Sequence, residues 1–402
     1  MKAGRRVGEY LRSIPPQRRL LFIIIFWAVV FGSIIAIDAL FLRSYVSTNW
    51  APVEDINYYR YRAQGLLDGQ WLYRDIPCES PPLIVYFMIP AQLAGGGYLA
   101  YQIWFSFFSL LSALVLYWGL RWRDDYKAFL VALLFLLVPI GTLETTVGVQ
   151  DDTVGVFLFL TTVVLAVSNR ARLSALTVGI GTWTKLFNAL FYPILFIKTR
   201  SWRERGLQLL IIGAVSLAVA LPYLIVCPTQ FLAFPSYYFY GTGDNPAGGS
   251  SIWDFLSMAG IDLPSFVFLA LIIGTYLITL VVVWKKDLTL LQGTLLVMVV
   301  FLAFYSRIAV VYYMLPVALL LIWGVENKAI IWRCMLLYVP LVLSVPFSAS
   351  NIYNKPLIDV PYGWAIGLAL TLLALVLMLD AARLALRRTN FVDRAPTEEE
   401  RA

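Results

Sequence analysis

Histidine is absent from this chain of 402 residues. No histidine-based triad or metal site can be built, so any acid–base chemistry rests on Asp, Glu, Lys or Tyr. Charge is scarce: 14% of the residues are charged and 60% are hydrophobic, against roughly 25% charged in a soluble domain. That composition excludes an ordinary soluble protein and leaves an all-α polytopic membrane protein. No stretch is long and polar enough for a separate soluble domain. Only three cysteines occur. They form no zinc pattern, and a Cys78–Cys227 disulfide has no support from spacing, while Cys334 lies in an apolar run. The first apolar run is too long for a signal peptide and lacks a small-residue cleavage site after it.

What the chain has is apolar length. Runs at 20–42, 98–120, 128–142, 153–167, 207–226, 265–284, 288–304, 308–324, 330–346 and 363–379 read as crossings, joined by two short halves, 173–184 and 186–197, hinged at Lys185. Together they predict about twelve crossings of a bilayer. The net charge of +7 sits mostly in the N-terminal segment and alternate loops. This is the placement of cytoplasmic Lys and Arg, not of a nucleic-acid surface, and it puts both termini inside. Residues 1–388 then form one transmembrane domain. Outer loops are expected at about 43–97 and 228–264, and a disordered cytoplasmic tail at 389–402. Within the first loop, the prolines Pro81, Pro82 and Pro90 and the glycines Gly95–Gly97 bound a short helix. It is expected to lie at the outer interface without crossing.

The acids collect in the outer loops. The first holds Glu54, Asp55, Asp68, Asp75 and Glu79, and a second group is Glu144, Asp151 and Asp152. Carboxylates are costly beside a bilayer, so a dense cluster marks a working site. For Asp55, Asp151 and Asp152, helix capping competes with this reading. Asp68 sits in a turn signal and reads as structural. Lys185 and Arg307 both fall at the outer ends of apolar runs. Such cations either snorkel to the headgroups or meet a phosphate. The aromatics Tyr58, Tyr59, Tyr61, Trp71, Tyr73, Trp253 and the run 234–240 fit an interfacial belt, with a minority available to stack on sugar rings. The glycine-rich GTGDNPAGGSS lacks a phosphate-loop pattern and reads as a flexible loop over the site. No metal site is predicted, although the Asp151–Asp152 pair is chemically suited to a divalent ion.

One stretch goes further. Asp55-x3-Tyr59-x3-Ala63-x2-Leu66-Leu67-x-Gly69-x2-Leu72-Tyr73-x-Asp75, closing in Glu79-x-Pro81-Pro82-Leu83-x2-Tyr86, resembles the first outer loop of the membrane-embedded GT-C glycosyltransferases. That superfamily includes polyprenol-linked mannosyltransferases, protein O-mannosyltransferases and the aminoarabinose transferase of lipid A. The resemblance implies a GT-C-like bundle with interfacial helices in its first outer loop. It also implies transfer of a monosaccharide from a polyprenyl-phosphate (dolichyl-phosphate-like) donor, with inversion, at the extracytoplasmic face of the cell membrane. The acceptor is a glycolipid, glycan or protein hydroxyl. No cofactor and no nucleic-acid partner are implied.

Residue by residue, the first-loop acid that acts as base or orients the acceptor matches Asp55, and the acid before the paired prolines matches Glu79. The second acidic site matches Asp151 or Asp152. The lysine that approaches the carrier phosphate matches Lys185, and Arg307 is a further candidate for that phosphate. Glu54, Tyr59, Asp75, Glu144 and Trp253 are expected around the sugar and acceptor. Ser80 stands where the aminoarabinose group tends to have Lys, and the soluble C-terminal domain of the oligosaccharyltransferase branch is missing. The competing class is a secondary transporter or lipid flippase, which expects ionisable residues at mid-membrane and broken helices in matching halves. Only Lys185 and its two short halves hint at that.

Overall fold

A computed structural model of the protein describes residues 2–43, 55–236, 238, 247–349 and 356–394. Glu54 lies outside the described residues, as do 237 and 239–246 of the 228–264 loop.

The chain is helical almost throughout. An amphipathic helix α1 (Lys2–Ser13) leads into α2 (Pro16–Ile37), which continues through a π-helical turn at Asp38–Leu42. Then come α3 (Asp55–Leu67), α4 (Pro82–Leu93), α5 (Tyr98–Leu120), α6 (Asp125–Leu137), α7 (Pro139–Thr146), α8 (Asp152–Val167) and α9 (Ala171–Thr182). A 3-10 turn at Leu186–Phe191 enters α10 (Tyr192–Lys198), followed by α11 (Trp202–Val226), α12 (Pro228–Ala233), β1 (Gly248–Gly249), α13 (Ile252–Met258), α14 (Ser265–Lys285) and α15 (Leu290–Phe304). The chain closes with β2 (Arg307–Ile308), a 3-10 turn at Val310–Tyr313, α16 (Met314–Gly324), α17 (Lys328–Leu336), α18 (Tyr338–Ser344) and α19 (Gly363–Leu386).

Among the described residues, six helical segments are long and apolar enough to cross a bilayer, or seven if the bent pair α6–α7 is one span. The expected twelve crossings are therefore not all full-length helices. Five further apolar helices are shorter, at Pro82–Leu93, Asp152–Val167, Leu186–Lys198, Leu290–Phe304 and Val310–Gly324. Proline accounts for one break directly. Val138, before Pro139, is extended at ψ 121°, and the α6–α7 pair bends by 48° there, because a residue preceding proline avoids the helical region. Burial accounts for another. Every residue of α16 is buried, so this short helix is apolar on all faces and sits inside the bundle.

Exposure separates the rim from the centre. Only 11% of the apolar window is buried in Pro16–Leu42 and in Trp202–Val226, and 17% in Ser265–Lys285, against 56% in Tyr98–Leu120. Exposed apolar helices of spanning length need hydrocarbon around them, so the chain is an integral membrane protein. The main apolar core joins α5, α6, α8, α15, α16 and α19. A second, smaller core gathers α3, α4 and the first half of α5 around Tyr59, Tyr73, Tyr223 and Phe231. Helices α3 and α4 have 13 and 12 residues, too short to span, and the second core lies beneath the acidic residues.

Two features stand at the periphery, of which the second changes an expectation. All three cysteines are free thiols, and Cys227 instead donates weakly to the Leu72 carbonyl. The start of the expected disordered tail is packed: Phe391 and Val392 are 5% and 2% exposed. There Thr289 donates to Asp393 at 2.6 Å and Arg394 pairs with Glu326 at 2.7 Å.

Candidate active site

Three side chains leave one face of α3 toward the interior. Asp55, Tyr59 and Arg62 follow the i, i+4, i+7 spacing that aligns residues on a helix. The Tyr59 ring packs edge-on against Phe105 at 5.6 Å, which fixes the rotation of α3. Its hydroxyl receives the backbone N–H of Asp151 at 3.4 Å. Asp55, at the open end of this face, accepts a hydrogen bond from Gln150 Nε2 at 3.1 Å. Its carboxyl pKa is raised. Loss of surrounding water is the largest cause and the neighbouring Asp151 charge adds to it, while Gln150, Lys185 and Arg62 pull the other way.

The acid pair enters from a tight turn between α7 and α8. Val149 takes a left-handed φ of 49°, and a Cβ on Gly148 would lie 2.8 Å from the Glu144 carbonyl, so glycine is needed there. The turn delivers Asp151 and Asp152 to the start of α8, yet Asp151 makes no side-chain cap. Both carboxylates turn instead to Lys185, with Nζ 2.8 Å from Asp151 and 2.9 Å from Asp152. All three side chains are nearly buried, at 13%, 7% and 6% exposure. Buried ions of this kind persist only when paired. Lys185 arrives on an extended residue between α9 and the 3-10 turn, its backbone N–H bonded to the Gly181 carbonyl at 2.7 Å. Gly155, one turn into α8, makes room for it: a Cβ there would meet Lys185 Cγ and Phe187 Cζ, each at 2.7 Å.

The proline segment closes one side. Glu79 pairs with buried Arg62 at 2.5 Å, and Tyr73 donates to the Ser80 carbonyl at 2.7 Å. The Leu83 N–H bonds the Trp183 carbonyl at 3.0 Å, tying this segment to the turn that carries Lys185. Thus Asp55, Tyr59, Glu79, Asp151, Asp152 and Lys185 come together, although they span 131 positions from 55 to 185.

On the opposite side of Lys185 an apolar cavity of about 310 Å³ opens. Phe187, Tyr238, Tyr305 and Tyr312 surround its head, and Phe268, Leu269 and Ile272 of α14 form its far wall. Because α14 is a largely exposed span, the cavity runs from the charged cluster toward a bilayer-facing helix. A larger cavity, about 820 Å³, lies by Trp118, Trp122, Asp125 and Arg170. It holds none of the clustered acids.

The remaining candidates are placed differently. Glu144 is held by the Tyr338 hydroxyl at 2.9 Å and acts electrostatically with Asp152, one step behind the acid pair. Asp75 closes a turn, pairing with Arg74 at 2.8 Å and receiving the Trp71 N–H at 2.9 Å. Asp68 accepts from Gln64 on the outer side of α3. Trp253 packs against Phe268, behind the cavity wall, and donates to the Phe304 carbonyl at 3.2 Å. Arg307 sits in β2, whose partner is β1, and its charge acts on buried Asp254. Arg62, Gln150, Tyr312 and Gly155 belong to the cluster without having been singled out from sequence. For Arg62 the helical spacing from Asp55 is a readable signal. For Tyr312 nothing distinguishes it from the aromatic belt. Among the described residues, no group of three or more metal-ligating side chains is arranged to hold an ion.

A buried pair of acids bound to one lysine, set at the head of an apolar cavity in a membrane bundle, defines a membrane-embedded protein with a charged site inside it. The chain belongs to glycosyltransferase family 87, whose family model matches residues 80–306. The match covers Asp151, Asp152, Lys185 and the cavity residues named above except Tyr312, and begins one residue after Glu79. No curated protein matches the chain. Membership assigns glycosyl transfer within a membrane, and does not favour the transporter reading.

Proposed function

We propose that the chain moves a monosaccharide from a polyprenyl-phosphate donor to an acceptor hydroxyl, with inversion, at the extracytoplasmic face. The observation that carries this reading is the position of Lys185, between an apolar cavity and a row of carboxylates. An isoprenoid tail suits the cavity and its bilayer-facing wall. The phosphate suits the ammonium, which forms strong charge-assisted bonds with anions. The sugar then lies over Asp55, Asp151 and Asp152.

In the transfer, the acceptor oxygen attacks the anomeric carbon from the side opposite the phosphate. A new C–O bond forms, and the bond from that carbon to the phosphate oxygen breaks with its electron pair leaving on the phosphate. Asp55 takes the hydroxyl proton, aided by its accessible position and raised pKa. Lys185 offsets the charge on the departing phosphate, an electrostatic effect that often dominates catalysis. Carboxylates beside the carbocation-like sugar stabilise it. Glu79, fixed by Arg62, borders the side from which the acceptor enters. Glu144 supports the acid pair from behind. The basic N-terminal segment, read by the positive-inside rule, supports cytoplasmic termini and an outward site.

The test is incubation of membranes containing the protein with labelled polyprenyl-phosphate sugars, followed by identification of the labelled product. Asp55→Asn is expected to lower transfer by roughly 10²–10⁴-fold while the purified protein keeps its melting temperature. Full activity in the folded variant would remove Asp55 from the mechanism.

A further inference from the structure

The two carboxylates on Lys185 are not equivalent. Lys185 Nζ directs a hydrogen bond to Asp151 Oδ1 at 2.8 Å. Asp152 Oδ1 is buried 2.9 Å from the same nitrogen, in poorer alignment than Asp151 Oδ1. Equal proximity with poorer alignment is the weaker attachment. Asp151 is further anchored through its own backbone N–H to Tyr59. Asp152 is therefore the contact most easily surrendered. It also acts electrostatically on the Tyr312 hydroxyl, which together with Lys185 lines the cavity.

A phosphate reaching this place meets an obstacle. Asp151 and Asp152 both hold the single ammonium of Lys185, Asp55 adds a third negative charge acting on it electrostatically, and Arg62 is held by Glu79. The local balance is negative, and like charges at short range repel strongly in a low-dielectric site. A phosphate gains a tight bond to Lys185 only by displacing a carboxylate.

We propose that Asp152 sets the affinity for the donor by competing with its phosphate for Lys185, and that donor binding releases the Asp152 carboxylate toward the sugar. This rests on the reading of the donor as an isoprenyl phosphate. The exchange alters no covalent bond: Lys185 stays protonated, and one ion pair replaces another. Before the donor arrives, Lys185 is shared by Asp151 and Asp152, and this pairing keeps the three buried charges tolerable. After it arrives, Lys185 serves the leaving phosphate, and the Asp152 carboxylate, ionised throughout, stands free of its ion pair beside the anomeric carbon. Competent electrostatics are thus assembled by the donor itself, so the donor must bind before the acceptor reacts. Gly155 makes the exchange feasible, because the lysine stem lies where any side chain at that position would stand.

The experiment is equilibrium binding of farnesyl phosphate to the detergent-solubilised full chain, run as a double-mutant cycle on Asp152 and Lys185. Asp152→Asn is expected to bind farnesyl phosphate about 10-fold more tightly than the parent protein, the scale of one charge-assisted hydrogen bond, while its transfer rate falls. Lys185→Gln is expected to bind about 10-fold more weakly. In the double variant the gain from Asp152→Asn disappears, because the competition needs both partners. Asp152→Ser provides a second variant should Asn fail to fold, and Asp68→Asn, a remote loop acid, controls for net charge. Unchanged or weaker binding by Asp152→Asn overturns the proposal, as does a gain that persists without Lys185. Either result leaves the donor reading standing. Failure of every variant and of the parent protein to bind farnesyl phosphate overturns both.

Discussion

At the scale of single residues, the site depends as much on what is missing from a side chain as on what is present. Gly155→Ala adds one methyl group 2.7 Å from both Lys185 and Phe187. Overpacking of this kind costs about 1–3 kcal/mol, and the strain falls on the lysine stem. The expected outcome is a small drop in melting temperature with a large loss of transfer, measured on one purified sample. A parallel loss of folding and activity would show that Phe187, not Lys185, takes the strain. A second residue reports on pH. Asp254 is fully buried, and Ser348 donates to it at 2.7 Å. Burial pushes its carboxyl up to about 6, against 3.8 normally, with Ser348 and Arg307 opposing. The neutral acid is thus the form the fold prefers. Its stabilising contribution is full below about pH 4 and is lost as pH rises through 6. That difference is on the order of 3 kcal/mol. Melting temperatures of the parent protein and Asp254→Asn are expected to diverge between pH 4 and pH 7, with the parent losing stability as pH rises. Parallel curves would mean that Asp254 titrates normally.

At the scale of elements, the sequence signals divide by physical cause. The first-loop helices were legible because proline, glycine and an aligned Asp55–Tyr59 pair mark them locally. The hinge at Lys185 was legible because an ammonium interrupts an apolar run. The depth of the interruptions was not. A run of apolar residues reads alike whether it crosses a bilayer or lies wholly inside the bundle, and α16 is of the second kind. Likewise Asp75 and Glu79 carry the same charge four residues apart, yet one closes a turn with its neighbour Arg74 and the other meets Arg62 across the loop. Only the fold of the loop separates them. The raised pKa of Asp55 gives this scale its own prediction. A base must be ionised to work, so transfer is expected to fall as pH drops through a carboxyl pKa above the ordinary Asp range. The acid limb of kcat/KM against pH reads this directly, and a limb at or below pH 4 would assign the base elsewhere.

At the scale of the whole molecule, charge is sorted to the ends of an apolar bundle, and each end is fastened in its own way. The site end is closed by ion pairs within loops. The other end is closed by residues 389–394, where composition alone suggests a loose polar tail. Two apolar side chains among polar neighbours, Phe391 and Val392, are too weak a pattern to read, but they sit 5% and 2% exposed. Around them Arg394 bridges to Glu326, which also holds Lys127 at 3.0 Å, and Asn390 and Thr289 share Asp393. The segment therefore clasps α6, α15 and the end of α16. Full burial of a Phe or Val side chain stabilises by roughly 1.5–3 kcal/mol, whereas the exposed Arg394–Glu326 pair contributes at most about 1 kcal/mol. Truncation after Arg388 is accordingly expected to lower the melting temperature in detergent far more than Arg394→Ala does. Truncation after Arg394 keeps every one of these contacts and is expected to melt well above truncation after Arg388. If both truncations melt alike, the clasp contributes nothing and the bundle is held by its apolar core alone.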